Sequence, residues 1–108
     1  MVHFDVIWSA AAERDLRQII RYIGRENPQN ARTVLERIKH KASELVSMPE
    51  RGRMVPEFET QGIRHYRELV IAPWRLIYRI SGKDVLVFCL VDSRRNVEDV
   101  LWERVTQE

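Results

Sequence analysis

The amino-acid sequence predicts an α+β fold: an N-terminal strand, an antiparallel helical hairpin packed on a four-stranded, mainly antiparallel sheet, and a short C-terminal helix. Three observations carry this expectation. The first half holds two apolar stripes at three- and four-residue spacing, split by Asn27-Pro28. After Gly62 the pattern changes to short apolar runs punctuated by Pro73 and by Ser81-Gly82-Lys83-Asp84, the spacing of strands and tight turns. Ahead of both, Val2, Phe4, Val6 and Trp8 alternate with His3, Asp5 and Ile7, a loose period of two.

Each element has a local reason. Ser9 precedes Ala10-Ala11-Ala12-Glu13 and can cap a helix whose apolar face is Ala12, Leu16, Ile19, Ile20 and Ile23, ending near Gly24. A second stripe, Ala31, Val34, Leu35, Ile38, Ala42, Leu45 and Val46, predicts a helix up to about Ser47, and the short break between the two makes them a hairpin. Residues 48–56 have no periodicity and read as a surface loop. Strands are expected over residues 63–71, 74–80 and 85–91. The last is a continuous apolar run of the kind buried on both faces. Val97, Val100, Leu101 and Val105 suggest the closing helix. The order β-α-α-β-β-β-α is that of a two-layer sandwich.

At 108 residues and 44% hydrophobic content, one globular domain spanning residues 1–108 is expected. Cys89 is the sole cysteine, which excludes an intrachain disulfide and a thiolate zinc cluster and suits a small buried hydrophobe. No stretch approaches the roughly 18 uncharged residues of a membrane span. The expectation is a soluble, cytoplasmic chain with no cofactor and no metal.

The net charge of +2 conceals two opposed blocks. Residues 60–83 carry five basic side chains against one acidic, whereas residues 84–108 carry three against six. Arginine outnumbers lysine fifteen to three, which favours forked contacts to carboxylate or phosphate. Strand parity places Arg75 and Arg79 on one face with Ile77, and Trp74, Leu76, Tyr78 and Ile80 on the other, core-facing side. The two arginines are either a functional surface or a solvated face paired with Glu68 or Asp92. Arg94 and Arg95 either project from the end of a rigid strand or solubilise a turn. Trp102 either packs on the sheet or stands exposed for a partner. Arg14, Arg17, Arg21 and Arg25 form a ridge on the first helix, either a solvated face or the seat of an acidic partner segment. His65 reads as a strand-surface histidine, since no second titratable group stands at an identifiable spacing.

The run Tyr66-Arg67-Glu68-Leu69-Val70-Ile71-Ala72-Pro73-Trp74-Arg75-Leu76-Ile77-Tyr78-Arg79-Ile80, with the apolar strand and basic segment after it, resembles the RelE/ParE toxins. The stretch from Ser9 to Leu16 looks like that family's first helix start, and Pro49-Glu50-Arg51-Gly52-Arg53 like its post-hairpin loop. The likeness covers nearly the whole chain. It implies the toxin of a type II toxin-antitoxin pair, held in check by a cognate antitoxin, ParD-like or similar. Two activities occur among such toxins: RelE-like members cleave mRNA in the ribosomal A site, and ParE-like members poison DNA gyrase.

Metal-free RNA cleavage needs a proton acceptor, a proton donor and cations on the scissile phosphate. The resemblance places Arg75 and Arg95 at two positions that RelE-like toxins use for this. Tyr66 and Glu68, however, stand where those toxins carry lysines, and Leu101 where they carry a helix tyrosine. A glutamate would repel the phosphate and a leucine cannot move a proton. The expectation is therefore a gyrase poison without chemistry of its own, whose target-facing candidates are Arg75, Arg79, Arg94, Arg95 and Trp102, with Arg14, Arg17, Arg21 and Arg25 as antitoxin-facing candidates. Direct nucleic-acid binding is expected only on the alternative reading, a ribosome-dependent mRNA endonuclease. A second alternative is a non-toxic remnant that only binds its antitoxin.

Overall fold

The computed structural model describes residues 2–107. Strand β1 (Asp5–Trp8) leads into helix α1 (Ala10–Gly24), which returns as α2 (Pro28–Ser43). A two-residue strand β2 (Arg53–Met54) and a one-turn helix α3 (Pro56–Glu59) precede the meander β3 (Tyr66–Ile71), β4 (Trp74–Ser81) and β5 (Asp84–Asp92), and α4 (Val97–Gln107) closes the described chain. The sheet order is β1-β5-β4-β3-β2, with β1 parallel to β5 and the other pairs antiparallel. The α+β class and the helical hairpin are as expected from the sequence.

Local chemistry sets the ends of these elements. The Ser9 side chain accepts from the Ala12 N–H at 3.0 Å and the Asn27 side chain from the Asn30 N–H at 3.0 Å, so each hairpin helix starts on a side-chain cap. Pro28 occupies the first turn of α2, where its missing N–H costs nothing. The β4–β5 connection is the two-residue turn Gly82-Lys83. Gly82 has φ +60° whereas Lys83, like every non-glycine among the described residues, has no positive φ, the pattern of a type II′ turn with glycine at its first central position.

Among the described residues the sheet has five strands rather than four, and one face more to cover than a two-layer sandwich. On one face Leu69, Ile71, Trp74, Leu76, Tyr78, Val85, Val87 and Leu90 pack under the hairpin with Val34, Ile38 and Leu45. On the other, Tyr66, Ile77, Phe88, Cys89 and Val91 form a smaller core closed by Val55 and Phe58 from the α3 segment and by Val97 and Leu101 from α4. A bulge in β5 permits this. Ile77 pairs with Cys89 but Tyr78 pairs with Val87, leaving Phe88 as the extra residue. Phe88 and Cys89 thus both serve the smaller core, while Val87 and Leu90 serve the larger.

Other expectations shift at their edges. The second helix ends at Ser43, and the expected last turn is the 3₁₀ turn Glu44–Val46. The first and second expected strands begin later than expected, at Asp5 and Tyr66. Residues 48–56, read as a surface loop, are instead bound to the sheet. The Tyr78 hydroxyl donates to the Pro49 carbonyl at 2.6 Å and accepts from the Gly52 N–H at 2.9 Å, and Arg67 donates to the Gly52 carbonyl at 2.8 Å. No side chain fits at Gly52, where a Cβ would lie 2.6 Å from both the Glu68 carbonyl oxygen and the Tyr78 hydroxyl.

Tyr78 is fully buried, so removing its hydroxyl strands the Gly52 N–H and the Pro49 carbonyl. Tyr78→Phe should lower stability by about 1–3 kcal/mol in urea denaturation with an unchanged slope. A loss below about 0.5 kcal/mol would show the segment is held by something else. Burial, with a smaller contribution from Asp15, pushes the Cys89 thiol up to about 12. Cys89 should accordingly resist a disulfide reagent at neutral pH until the chain is unfolded.

Candidate functional site

Three groups of side chains stand out: a buried ionic cluster centred on Arg75, a groove between α1 and α4, and the arginine ridge of α1. The first lies on the sheet face that carries the smaller core. Arg75, from the middle of the meander, is 7% exposed, and Glu68 on the neighbouring strand is 1% exposed. The Arg75 guanidinium meets both Glu57 carboxylate oxygens at 2.8 and 2.7 Å, a bidentate pair, and its Nε donates to Glu68 at 2.8 Å. A second, very short contact joins Arg75 Nη2 to the same Glu68 oxygen. Arg53 completes the chain, donating from Nε to the other Glu68 oxygen at 2.6 Å.

The local folding explains the cluster. β3–β4 pairing sets Glu68 opposite Ile77 and Val70 opposite Arg75, so the carboxylate and the guanidinium are diagonal neighbours on one face. The β2 register sets Arg53 opposite Glu68. The single turn of α3 then drops Glu57 onto Arg75. Its hydrogen bonds from Arg75 hold the Glu57 carboxyl below the usual carboxylate range against the opposing effect of burial, and the Arg75 guanidinium is held protonated by Glu57 first and Glu68 second. Arg75 does pair with Glu68, but in the interior rather than on the solvated face expected for such a pair. Glu57 went unread because it lies in a segment without periodicity.

The other two positions singled out with Glu68 are also enclosed. Tyr66 is 5% exposed with its ring 5.0 Å from Phe58 and 5.1 Å from Phe88, and Leu101 is fully buried. Trp102 packs edge-on against Phe58 at 5.3 Å, half-buried on the outside of the same core. Arg79 is half-buried at the far end of the face. His65 is exposed, with its ring 4.5 Å from Tyr66.

Beyond Trp8, β1 no longer covers the edge of β5, and side chains take over. Asp15 accepts from the Leu90 N–H at 3.0 Å and forms a two-point pair with Arg104 at 2.9 Å, while Arg104 also donates to the Phe88 carbonyl at 3.2 Å. This clip joins α1 to α4 around the strand edge. Beside it lies a groove of about 590 Å³, lined among others by Ile19, Tyr22, Ile23, Trp74, Arg94 and Arg95. Arg94 is bound to Asp92 at 2.6 and 2.9 Å, which pushes the Asp92 carboxyl down to about 2, whereas the exposed Arg95 side chain has no ion pair among the described residues. Arg75 is absent from this lining. The two arginines paired in the nuclease reading therefore serve different surroundings. Arg14, Arg17 and Arg21 are exposed on α1, and Arg25 is exposed at its C-cap, where the backbone keeps helical angles.

Comparison with known proteins adds the family. Residues 6–97 match the family described as the ParE toxin of the type II toxin-antitoxin system parDE. The toxin ParE3 of Caulobacter vibrioides is 28% identical over 93 residues, covering 85% of this chain and 89% of that one. The toxin RelE2 of the same organism is 37% identical over 69 residues, 64% of this chain and 70% of that one. A chain of the chromosomal ParDE system from P. aeruginosa shares the fold with a TM-score of 0.67 at 18% identity, covering 83% of this chain and 96% of that one.

Removing one member of the buried cluster should cost more than removing the cluster. Arg75→Ala leaves Glu68 buried with Arg53 alone and should destabilise by about 3–5 kcal/mol, whereas Arg75→Met with Glu68→Leu should lose far less. Equal losses in urea titrations would contradict the arrangement. The folded-state pKa of Glu57 is lowered, so its contribution is present above the unfolded carboxylate value and lost as pH falls through the folded one. Glu57→Gln should flatten that acid limb of the stability profile.

Proposed function

Because this chain belongs to the ParE toxin family of type II toxin-antitoxin systems, we propose that it arrests growth by binding and poisoning DNA gyrase, and that a cognate antitoxin, ParD-like or similar, neutralises it. One observation carries the choice of target: Arg75 lies between Glu57 and Glu68, with its guanidinium nitrogens bound to their carboxylates. A cation recruited to a scissile phosphate must be able to give its donors to the phosphate oxygens, and two carboxylates already occupy them here. Tyr66 and Leu101, at the other positions a nuclease of this superfamily would use, are core side chains.

The action proposed is protein contact rather than chemistry. Its candidate surface is the α1–α4 groove and its rim, where Tyr22 is 75% exposed beside Arg94 and Arg95. Tyrosine and arginine are the side chains that concentrate binding energy at protein interfaces. Trp102 and Arg79 border the closed core on the opposite face and are secondary candidates.

The purified chain should inhibit gyrase supercoiling and trap cleaved DNA, and Tyr22→Ala with Arg95→Ala should weaken that inhibition by tenfold or more while the chain stays folded. Unaffected supercoiling at a large excess of toxin, together with new A-site cuts in translating ribosomes, would replace this reading with mRNA cleavage.

A further inference from the structure

We propose that the arginine ridge of α1 binds the phosphate backbone of duplex DNA without reading its sequence. At 100° per residue, Arg14, Arg17, Arg21 and Arg25 fall within an arc of about 80°, directly opposite the apolar face, and at 1.5 Å per residue they span about 16 Å. The side chain sharing that arc is Ala10, and Glu13 and Glu26 lie outside its margins. Among the described residues, none of the four guanidinium groups has an ion pair or hydrogen bond within the chain. Four like charges at three- and four-residue steps repel one another along a helix, so the arrangement opposes folding and calls for an external counter-charge.

The counter-charge has a definable character. A protein partner needs an apolar, charge-poor centre to its interface, and this arc offers none. A polyanion needs only regularly spaced cations. One strand of a DNA duplex carries a phosphate every 3.4 Å of axis, so 16 Å presents about five of them to four forked donors. The B-form major groove, about 12 Å wide, also admits a helix, whereas that of duplex RNA is deep and narrow. This departs from the two roles expected for the ridge, a solvated face or the seat of an acidic antitoxin segment, because the missing partners emerge only with the fold. Binding is a property of the isolated chain, so it can fail while the gyrase reading stands, and the reverse.

The test is fluorescence anisotropy of a labelled, mixed-sequence duplex of about one and a half turns, titrated with the purified chain between 50 and 200 mM salt. The expected plot of log K against log salt has a slope of about −3.6, falling in magnitude by about 0.9 for each single Arg→Gln change at positions 14, 17, 21 and 25. The fourfold Gln variant should lose binding with unchanged circular dichroism, and the single variants serve if it does not fold. No binding at 50 mM salt, or a fourfold variant with an unaltered slope, overturns the proposal. Tighter binding of duplex RNA, or of polyglutamate with the same dependence on the four arginines, would overturn it in favour of RNA or an acidic protein.

Discussion

β5 is apolar on both faces, and that constraint arranges the rest of the molecule. A strand with Val85, Val87 and Leu90 toward one side and Phe88, Cys89 and Val91 toward the other cannot sit at a solvated sheet face, because each such side chain left in water forfeits roughly 1.5–3 kcal/mol of burial. The helical hairpin answers one side. The other is answered by pieces too small to form alone, a one-turn helix and an eleven-residue C-terminal helix. The bulge at Phe88 divides the run between them.

Closing the second face decides what Arg75 can do. The β4 position that a phosphate-handling arginine would occupy becomes interior once α3 is seated, and an interior guanidinium must be matched by carboxylates within reach. Glu68 and Glu57 match it, with Arg53 balancing Glu68 from the rim. Loss of a free cation on the sheet and gain of a second core are one event. What stays outside, the groove beside α1 and the ridge on its crest, is where this fold can meet other macromolecules.

Elements long enough to show a period were legible in the sequence, namely both hairpin helices and the β3–β5 meander, and so were the Ser9 cap and the Gly82 turn; Asn27 showed there only as a break, and its capping bond to the Asn30 N–H came with the structure. The face assignment of Trp74 through Ile80 also follows from parity, since the extra residue of the bulge lies in β5 and leaves β4 in phase. A two-residue strand and a four-residue helix have no period, so β2, α3 and with them Glu57 had no signal. The seven-residue apolar run of β5 likewise hides its bulge, because every position in it is apolar whichever face it serves. Asp15 and Arg104 sit 89 residues apart, and their pairing depends on where β1 stops, which is a tertiary fact.

Arg75 is sealed inside the protein by its two carboxylates. Arginine-specific labelling of the native chain with phenylglyoxal, read residue by residue by mass spectrometry, tests it most directly. Arg75 should remain unmodified while Arg14, Arg17, Arg21, Arg25 and Arg95 react, and should become reactive on unfolding. Labelling of Arg75 in the native protein at the rate of the ridge arginines would contradict the account.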